Sequence, residues 1–283
     1  MAWVYLVLLY GVLKGARDVA KKKAMEKSPV LGVLFFYTLI SFVMVLPGAK
    51  EAMGVPAPLM GATLIKSFVI FVGWLCGFRA LEKMPVSLYG IIDLSQMLFA
   101  MLLGVLFLGE RMTLLQGAGL VLVLGGLLML RAGKGGGAMK GESVKAKWIG
   151  MALICCLMNG ISGTMDKALM RSMTSVQLQF WYMAFLTAFY GLYMLARRIR
   201  LDWKKLLKNY WIWIMALLFV IGDRALFMAN GMADSRVTVM TLVKQSSCVV
   251  AIIGGRLVFK EKNIGFKLVC AAVVIAGIVL AVL

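Results

Sequence analysis

"RAGKGGGAMKGESVKA", residues 131–146, decides how this chain is organised. It is rich in glycine and charge and has no apolar periodicity, so it reads as a flexible linker. The chain to either side is apolar. Of 283 residues, 62% are hydrophobic and the mean hydropathy is +0.93. A soluble domain is about 45–50% apolar, so the excess marks a membrane protein. A bilayer-spanning helix needs about 20 mainly apolar residues. Such segments are predicted at 2–20, 30–48, 60–82, 86–108 and 113–131, then at 148–170, 176–197, 210–232, 237–259 and 264–282. The expected fold is an all-α polytopic membrane protein with ten transmembrane helices. Its first five-helix unit is 1–131, the linker 132–147 and the second unit 148–283.

The two units resemble each other. GVLFLGERMT (104–113) matches GRLVFKEKNI (255–264) and sets Glu110 over Glu261. At the same offset of 151, Gly126 falls on Gly277 and Asp93 on Lys244. GARDVA (15–20) aligns with GTMDKA (163–168), placing Asp18 over Asp166. Gly-x-Arg-Ala-Leu occurs at Gly77–Leu81 and again at Gly222–Leu226. Three anchors in one order indicate an internal repeat. With five helices per repeat, the second copy enters the membrane from the opposite side. Inverted repeats of this kind are shared by many secondary transporters, whose sites lie near the midplane between the halves.

These features resemble the EamA-like type of the drug/metabolite transporter superfamily over nearly the whole chain. The resemblance rests on Glu110-Arg111 and Glu261-Lys262, each followed by a Gly-bearing helix, and on Ala80-Leu81 and Ala225-Leu226. It implies a central cavity lined by helices 1, 3, 4, 6, 8 and 9, with helices 5 and 10 peripheral. It also implies movement of small organic solutes without ATP hydrolysis. Family members often carry Pro in the middle of helix 4 or 9; here those stretches read DLSQMLFA and LVKQSSCVV.

Composition narrows the chemistry. There are 31 Lys+Arg against 12 Asp+Glu, and no His. No basic stretch is interleaved with aromatics in a polar domain, so nucleic acid is not an expected partner. The five cysteines lie singly or adjacent in apolar segments and imply neither disulfide nor zinc. No cofactor is expected. Without His, without paired carboxylates and without a nucleophile beside a base, a membrane enzyme is disfavoured. A channel would need filter loops or charged rings, and neither is present. The expected partners are a small-molecule substrate and the lipid bilayer; a homodimer stays open.

Nineteen Lys and Arg lie near the joins 1–2, 3–4, 5–6, 7–8 and 9–10, Lys21 and Lys267 among them, against four at the other joins (Lys50, Arg111, Arg171, Arg236). The positive-inside rule then puts the first set in the cytoplasm and both termini outside, in a prokaryotic plasma membrane. The N-terminal run lacks a basic region before its apolar stretch, so it reads as the first membrane helix and not as a signal peptide.

Charges inside a bilayer are costly, roughly 2.5–3.5 kcal/mol each on insertion scales, and by default they mark function. Counting about 1.5 Å per residue from the segment centres puts Asp223, Arg224, Asp93 and Lys244 deepest. As repeat equivalents of opposite sign, Asp93 and Lys244 are expected to face each other across the cavity. Tyr89, Asp93, Gln96 and Ala100 form one polar stripe; Thr241, Lys244, Ser247 or Cys248, and Ala251 form another. Lys66 is also deep. Arg79 lies nearer its helix end. The candidate substrate-binding residues are therefore Arg224, Lys244, Asp93, Asp223, Gln96, Tyr89, Lys66 and Arg79. Lys14, Arg17, Asp18, Asp166, Lys167 and Arg256 lie nearer helix ends, where snorkelling competes with a functional role. Glu110 and Glu261 read as helix caps. Glycines 11, 15, 160 and 163 suit either bending or packing.

Eight bases against four acids in the membrane segments favour a solute with carboxylate or phosphate, held by Arg224 and Lys244. The expected function is secondary transport of an anionic or zwitterionic metabolite by alternating access. Efflux of organic cations or drugs, and flipping of a lipid-linked sugar, are the competing readings.

Overall fold

The computed structural model describes residues 2–96, 99, 114–132, 144–232 and 243–282, and these are helical apart from turns and short connections. The longer helices are α1 (Ala2–Lys27), α2 (Val30–Val45), α3 (Ala57–Glu82), α4 (Val86–Asp93) and α5 (Leu114–Ala132). They continue with α6 (Ala146–Leu169), α7 (Ser175–Ala196), α8 (Tyr210–Asn230), α9 (Ser246–Phe259) and α10 (Ile264–Val282). Short helical pieces extend α2 through Ala52 and precede α8 at Trp203–Leu207. Most of the linker, Glu110 and Arg111, Ala100, Thr241 and the outer parts of segments 86–108 and 237–259 lie outside the described residues.

Local chemistry sets the helix ends. Pro29, Pro56 and Pro85 sit in extended backbone immediately before α2, α3 and α4. Pro cannot donate a backbone bond, so a helix starts readily after it. Thr174 and Gln177 form a reciprocal capping box on α7, which satisfies two otherwise orphaned N–H groups. Lys260 and Asn263 adopt left-handed backbone and turn the chain from α9 into α10.

Among the described residues, five helical stretches are long and apolar enough to cross a membrane: Val30–Ala52, Ala57–Glu82, Ala146–Asp166, Ser175–Ala196 and Tyr210–Asn230. Ser246–Phe259 and Ile264–Leu280 are shorter apolar helices. Polarity is arranged for lipid. Leu195 and Leu257 are about three-quarters exposed (75% and 74%), whereas Lys66 is 1% exposed. Water would penalise both choices, and a bilayer penalises neither once the buried charges are paired.

The first predicted segment needs correction. It was placed at 2–20, yet α1 continues to Lys27. Lys21 and Ala24 are buried, so this basic stretch packs inward and does not form a loop. The longer helix moves its centre to about residue 14, which puts Lys14 and Arg17 within about 4 Å of mid-helix at 1.5 Å per residue.

α1 runs along α8 and α9, α3 along α6 and α7, α2 along α7 and α8, α4 against α9, and α5 against α10. The α1–α9 crossing is close. A Cβ on Gly15 would lie 2.6 Å from the Ser247 carbonyl oxygen and 2.6 Å from Val250 Cβ. Gly73 and Gly77 approach Met158 and Cys155 of α6 in the same way. These glycines serve packing, as small residues do between membrane helices. Gly15→Val is expected to destabilise the fold by about 1–3 kcal/mol, the usual cost of overpacking. Thermal unfolding in detergent checks this; an unchanged midpoint would show that the crossing is loose.

Candidate functional site

Both α4 and α9 are interrupted deep in the fold. α4 ends at Asp93, and a turn at Leu94–Ser95 separates it from helical Gln96. There the amides of Leu94 and Ser95 bond to carbonyls three residues back, and Ser95 Oγ donates to the Ile92 carbonyl at 2.6 Å. The equivalent turn falls at Gln245, just before α9 and just after Lys244. So the chain breaks these helices without Pro, and each break carries a charge. Irregular backbone at membrane depth is tolerated where it lines a cavity.

A cavity of about 290 Å³ lies beside these breaks. α1 contributes Tyr10, Lys14, Arg17, Asp18 and Lys21 to its wall, a spacing that repeats one helical face. α3 contributes Lys66 and Trp74, α6 contributes Asn159 and Asp166, α7 contributes Tyr182, and α8 contributes Phe219 and Asp223. Tyr89, Asp93, Gln96, Lys244 and Gln245 add to the polar lining.

The charges are mostly matched. Lys14 pairs with Asp93, Arg17 with Asp223 at 3.5 Å, Lys21 with Asp18 at 2.7 Å and Lys66 with Asp166 at 3.0 Å. Three of these cations also lie over rings: Arg17 over Phe219 at 4.9 Å, Lys21 over Phe78 at 5.2 Å and Lys66 over Tyr182 at 3.6 Å. Trp74 packs among Tyr37, Phe78, Tyr182 and Phe219 and stiffens that wall. Lys244 differs. Among the described residues it forms no ion pair; its Nζ lies 5.9 Å from the Tyr10 ring centroid. Beside it Gln245 Nε2 is buried with no hydrogen-bond partner among the described residues. Lys244 and Gln245 thus bring to one cavity wall an ammonium and an amide donor that lack partners among the described residues, and a buried donor left unpaired costs about 1–3 kcal/mol.

Of the eight candidate residues, the structure brings Lys244, Asp93, Asp223, Gln96, Tyr89 and Lys66 to the cavity. Arg79 and Arg224 are not in its lining. Arg224 instead donates from Nε to Gln179 Oε1 at 2.7 Å, and Gln179 Nε2 donates to the Val220 carbonyl at 2.9 Å. These two bonds fasten α8 to α7. Asp93 does not face Lys244 as a partner, because Lys14 takes it. Lys14, Arg17, Asp18 and Asp166, for which snorkelling competes with function in the sequence, line the cavity, as does Lys21, which the sequence places near the first helix join. Arg256 is exposed.

Glu261 is a cap, though of another helix. It accepts from the Val86 amide at 2.7 Å, from the Ser87 amide at 3.3 Å and from Ser87 Oγ. Lys267, buried and not in a loop, donates to Glu261 at 3.1 Å and to Ser87 Oγ at 2.6 Å. A carboxylate at the first amides of α4 is favoured by the helix dipole. It ties the N-terminus of the helix bearing Asp93 to the α9–α10 turn. Among the described residues no group of Cys, Asp and Glu is placed to hold a metal ion, and the five cysteines are free thiols.

A helical bundle with an apolar exterior, charges turned inward and a polar cavity at broken helices defines a class, the polytopic membrane carrier. The chain belongs to the EamA-like transporter family, whose model matches residues 1–132 and 146–283, and so to the drug/metabolite transporter superfamily. Members of this family are membrane transporters of small molecules. A solved crystal structure of a protein 16% identical in sequence aligns over 99% of this chain and 96% of that one, with a TM-score of 0.66, and shows the fold. No curated protein matches the chain.

Proposed function

We propose that this protein is a secondary active transporter that moves a small anionic or zwitterionic metabolite by alternating access. The observation that carries this reading is Lys244. In a cavity where every other cation has a carboxylate partner, Lys244 stands unpaired beside an unused amide donor, among the described residues. A solute carboxylate or phosphate satisfies both groups at once. The four ion pairs leave the remaining wall close to neutral, which also accommodates a zwitterion. About 290 Å³ is at the small end of ligand cavities, suiting a metabolite more than a drug-sized molecule. The aromatic wall is less open to an organic cation because Arg17, Lys21 and Lys66 already lie over three of its rings, Phe219, Phe78 and Tyr182.

The same proposal includes ten spanning helices arranged as two inverted five-helix repeats, 1–131 and 148–283. Exchanging α1–α5 with α6–α10 maps α1–α8 packing onto α6–α3 and α3–α7 onto α8–α2, and leaves α4–α9 and α5–α10 unchanged. The family model also matches each side of the linker separately. Rocking of one repeat against the other about the cavity would supply alternating access. Basic loops face the cytoplasm in this reading and both termini lie outside; a C-terminal reporter active only in the cytoplasm would reverse that.

The direct test is uptake by proteoliposomes from a panel of monocarboxylates, sugar phosphates, amino acids and quaternary amines. Saturable uptake of an anion or zwitterion is expected. Uptake of amines alone, abolished by Asp223→Asn, would replace this reading with cation transport.

A further inference from the structure

The connection between α7 and α8 joins two helices that are each long and apolar enough to span the membrane. Its twelve residues from Arg197 to Lys208 therefore lie at headgroup level. They include six bases, Arg197, Arg198, Arg200, Lys204, Lys205 and Lys208, and one acid. That acid, Asp202, is spent on local structure: its carboxylate caps the Trp203–Leu207 helix by accepting from the Lys205 amide at 3.1 Å. None of the six bases forms an ion pair with an acid among the described residues, and all six are exposed.

The segment is held rigidly. Leu206 is buried against Gly32 of α2. Trp203 packs edge-on against Phe35 and Phe36, with ring centroids 6.1 and 5.0 Å apart. Asn209 Nδ2 donates to the Ala24 carbonyl at 2.9 Å and to Ser28 Oγ at 3.1 Å. Trp203, Leu207, Tyr210 and Trp213 nevertheless keep exposed apolar surface. Amphipathic rings at the interface bracket a fixed array of unpaired cations, an arrangement that matches acyl chain below and phosphate above.

We propose that residues 197–213 form a binding platform for anionic phospholipid headgroups. Loop bases that merely enforce topology need no fixed geometry and no neighbouring aromatic surface; this segment has both. Each base near an anionic surface raises partitioning roughly fivefold, so a docked cluster enriches such lipids over zwitterionic ones.

The test uses the full-length protein in nanodiscs containing a minority of brominated phosphatidylglycerol or of brominated phosphatidylcholine, with tryptophan quenching as readout. Trp203→Phe/Trp213→Phe protein isolates the platform's share of the signal. Excess quenching by brominated phosphatidylglycerol is expected from that share. It should disappear in Arg200→Gln/Lys204→Gln/Lys205→Gln/Lys208→Gln protein and persist in Lys204→Arg/Lys205→Arg/Lys208→Arg protein. Equal quenching by the two lipids, or an excess that survives the Gln substitutions, overturns the proposal. So does loss of the excess on adding inorganic phosphate but not chloride at the same ionic strength, which would make this a soluble-phosphate site.

Discussion

Asp166→Ala is expected to destabilise the protein by about 3–5 kcal/mol, the loss typical when one partner of a buried ion pair is removed. The reason lies in what stays behind. Lys66 is almost wholly buried, and its ammonium has Asp166 at 3.0 Å and the Tyr182 ring at 3.6 Å. The ring cannot replace the carboxylate, since a cation–π contact contributes about 2 kcal/mol even when desolvated. Removing the charge along with its partner should recover most of the loss. Lys66→Met/Asp166→Ala is therefore expected to be markedly more stable than Asp166→Ala alone, because an apolar pair of similar volume avoids the desolvation cost. Equilibrium unfolding in mixed micelles measures both. Equal losses in the single and double variants would mean that the two charges do not compensate each other.

Lys244→Gln is expected to weaken binding of the transported anion on the order of ten- to a hundredfold, the range for one hydrogen bond to a charged group. Stability should change little, since Lys244 has no ion-pair partner to orphan among the described residues. Arg224→Ala should show the reverse pattern: unchanged anion affinity with a loss of stability, because Arg224 clamps α8 to buried Gln179 and does not line the cavity. Titration of purified protein with the best anion from the uptake panel, followed by thermal shift, separates the two. Equal weakening by both substitutions would return Arg224 to the binding site and remove the basis for choosing Lys244.

That contrast also shows where sequence reasoning stopped. Asp223 and Arg224 are neighbours and so equally deep. Successive helix residues point about 100° apart, from 3.6 residues per turn; here Asp223 lines the cavity and Arg224 turns to Gln179, whereas the neighbours Arg17 and Asp18 both line it. Depth was countable from apolar segment ends, whereas azimuth was not. α8 does carry a signal, since Phe219, Asp223, Leu226 and Asn230 line the cavity at helical spacing. In α1 the stripe Tyr10, Lys14, Arg17, Asp18 and Lys21 was equally visible. In sequence its charges lie nearer the end of the predicted segment 2–20, where snorkelling competes with a functional role. Glu261 was correctly read as a cap from its place at a helix end, but its target, the α4 N-terminus 174–175 residues away in sequence, is a matter of long-range packing.

By itself the sequence determined the membrane environment, the approximate place of most described helices, the family, and the presence of costly internal charges. These follow from local quantities: apolar run length, capping and turn residues, and the hydration energy of each charge. It missed the extension of α1 to Lys27 and the breaks after Asp93 and at Gln245. Only the tertiary structure decided which distant charges meet. Lys14–Asp93, Arg17–Asp223 and Lys66–Asp166 depend on helix rotation and on packing of α1 against α4 and α8 and of α3 against α6, helices not adjacent in the chain, whereas Lys21–Asp18 is a local pair on α1. The proposed site rests on that pairing, with four cations matched and, among the described residues, Lys244 left without an ion pair.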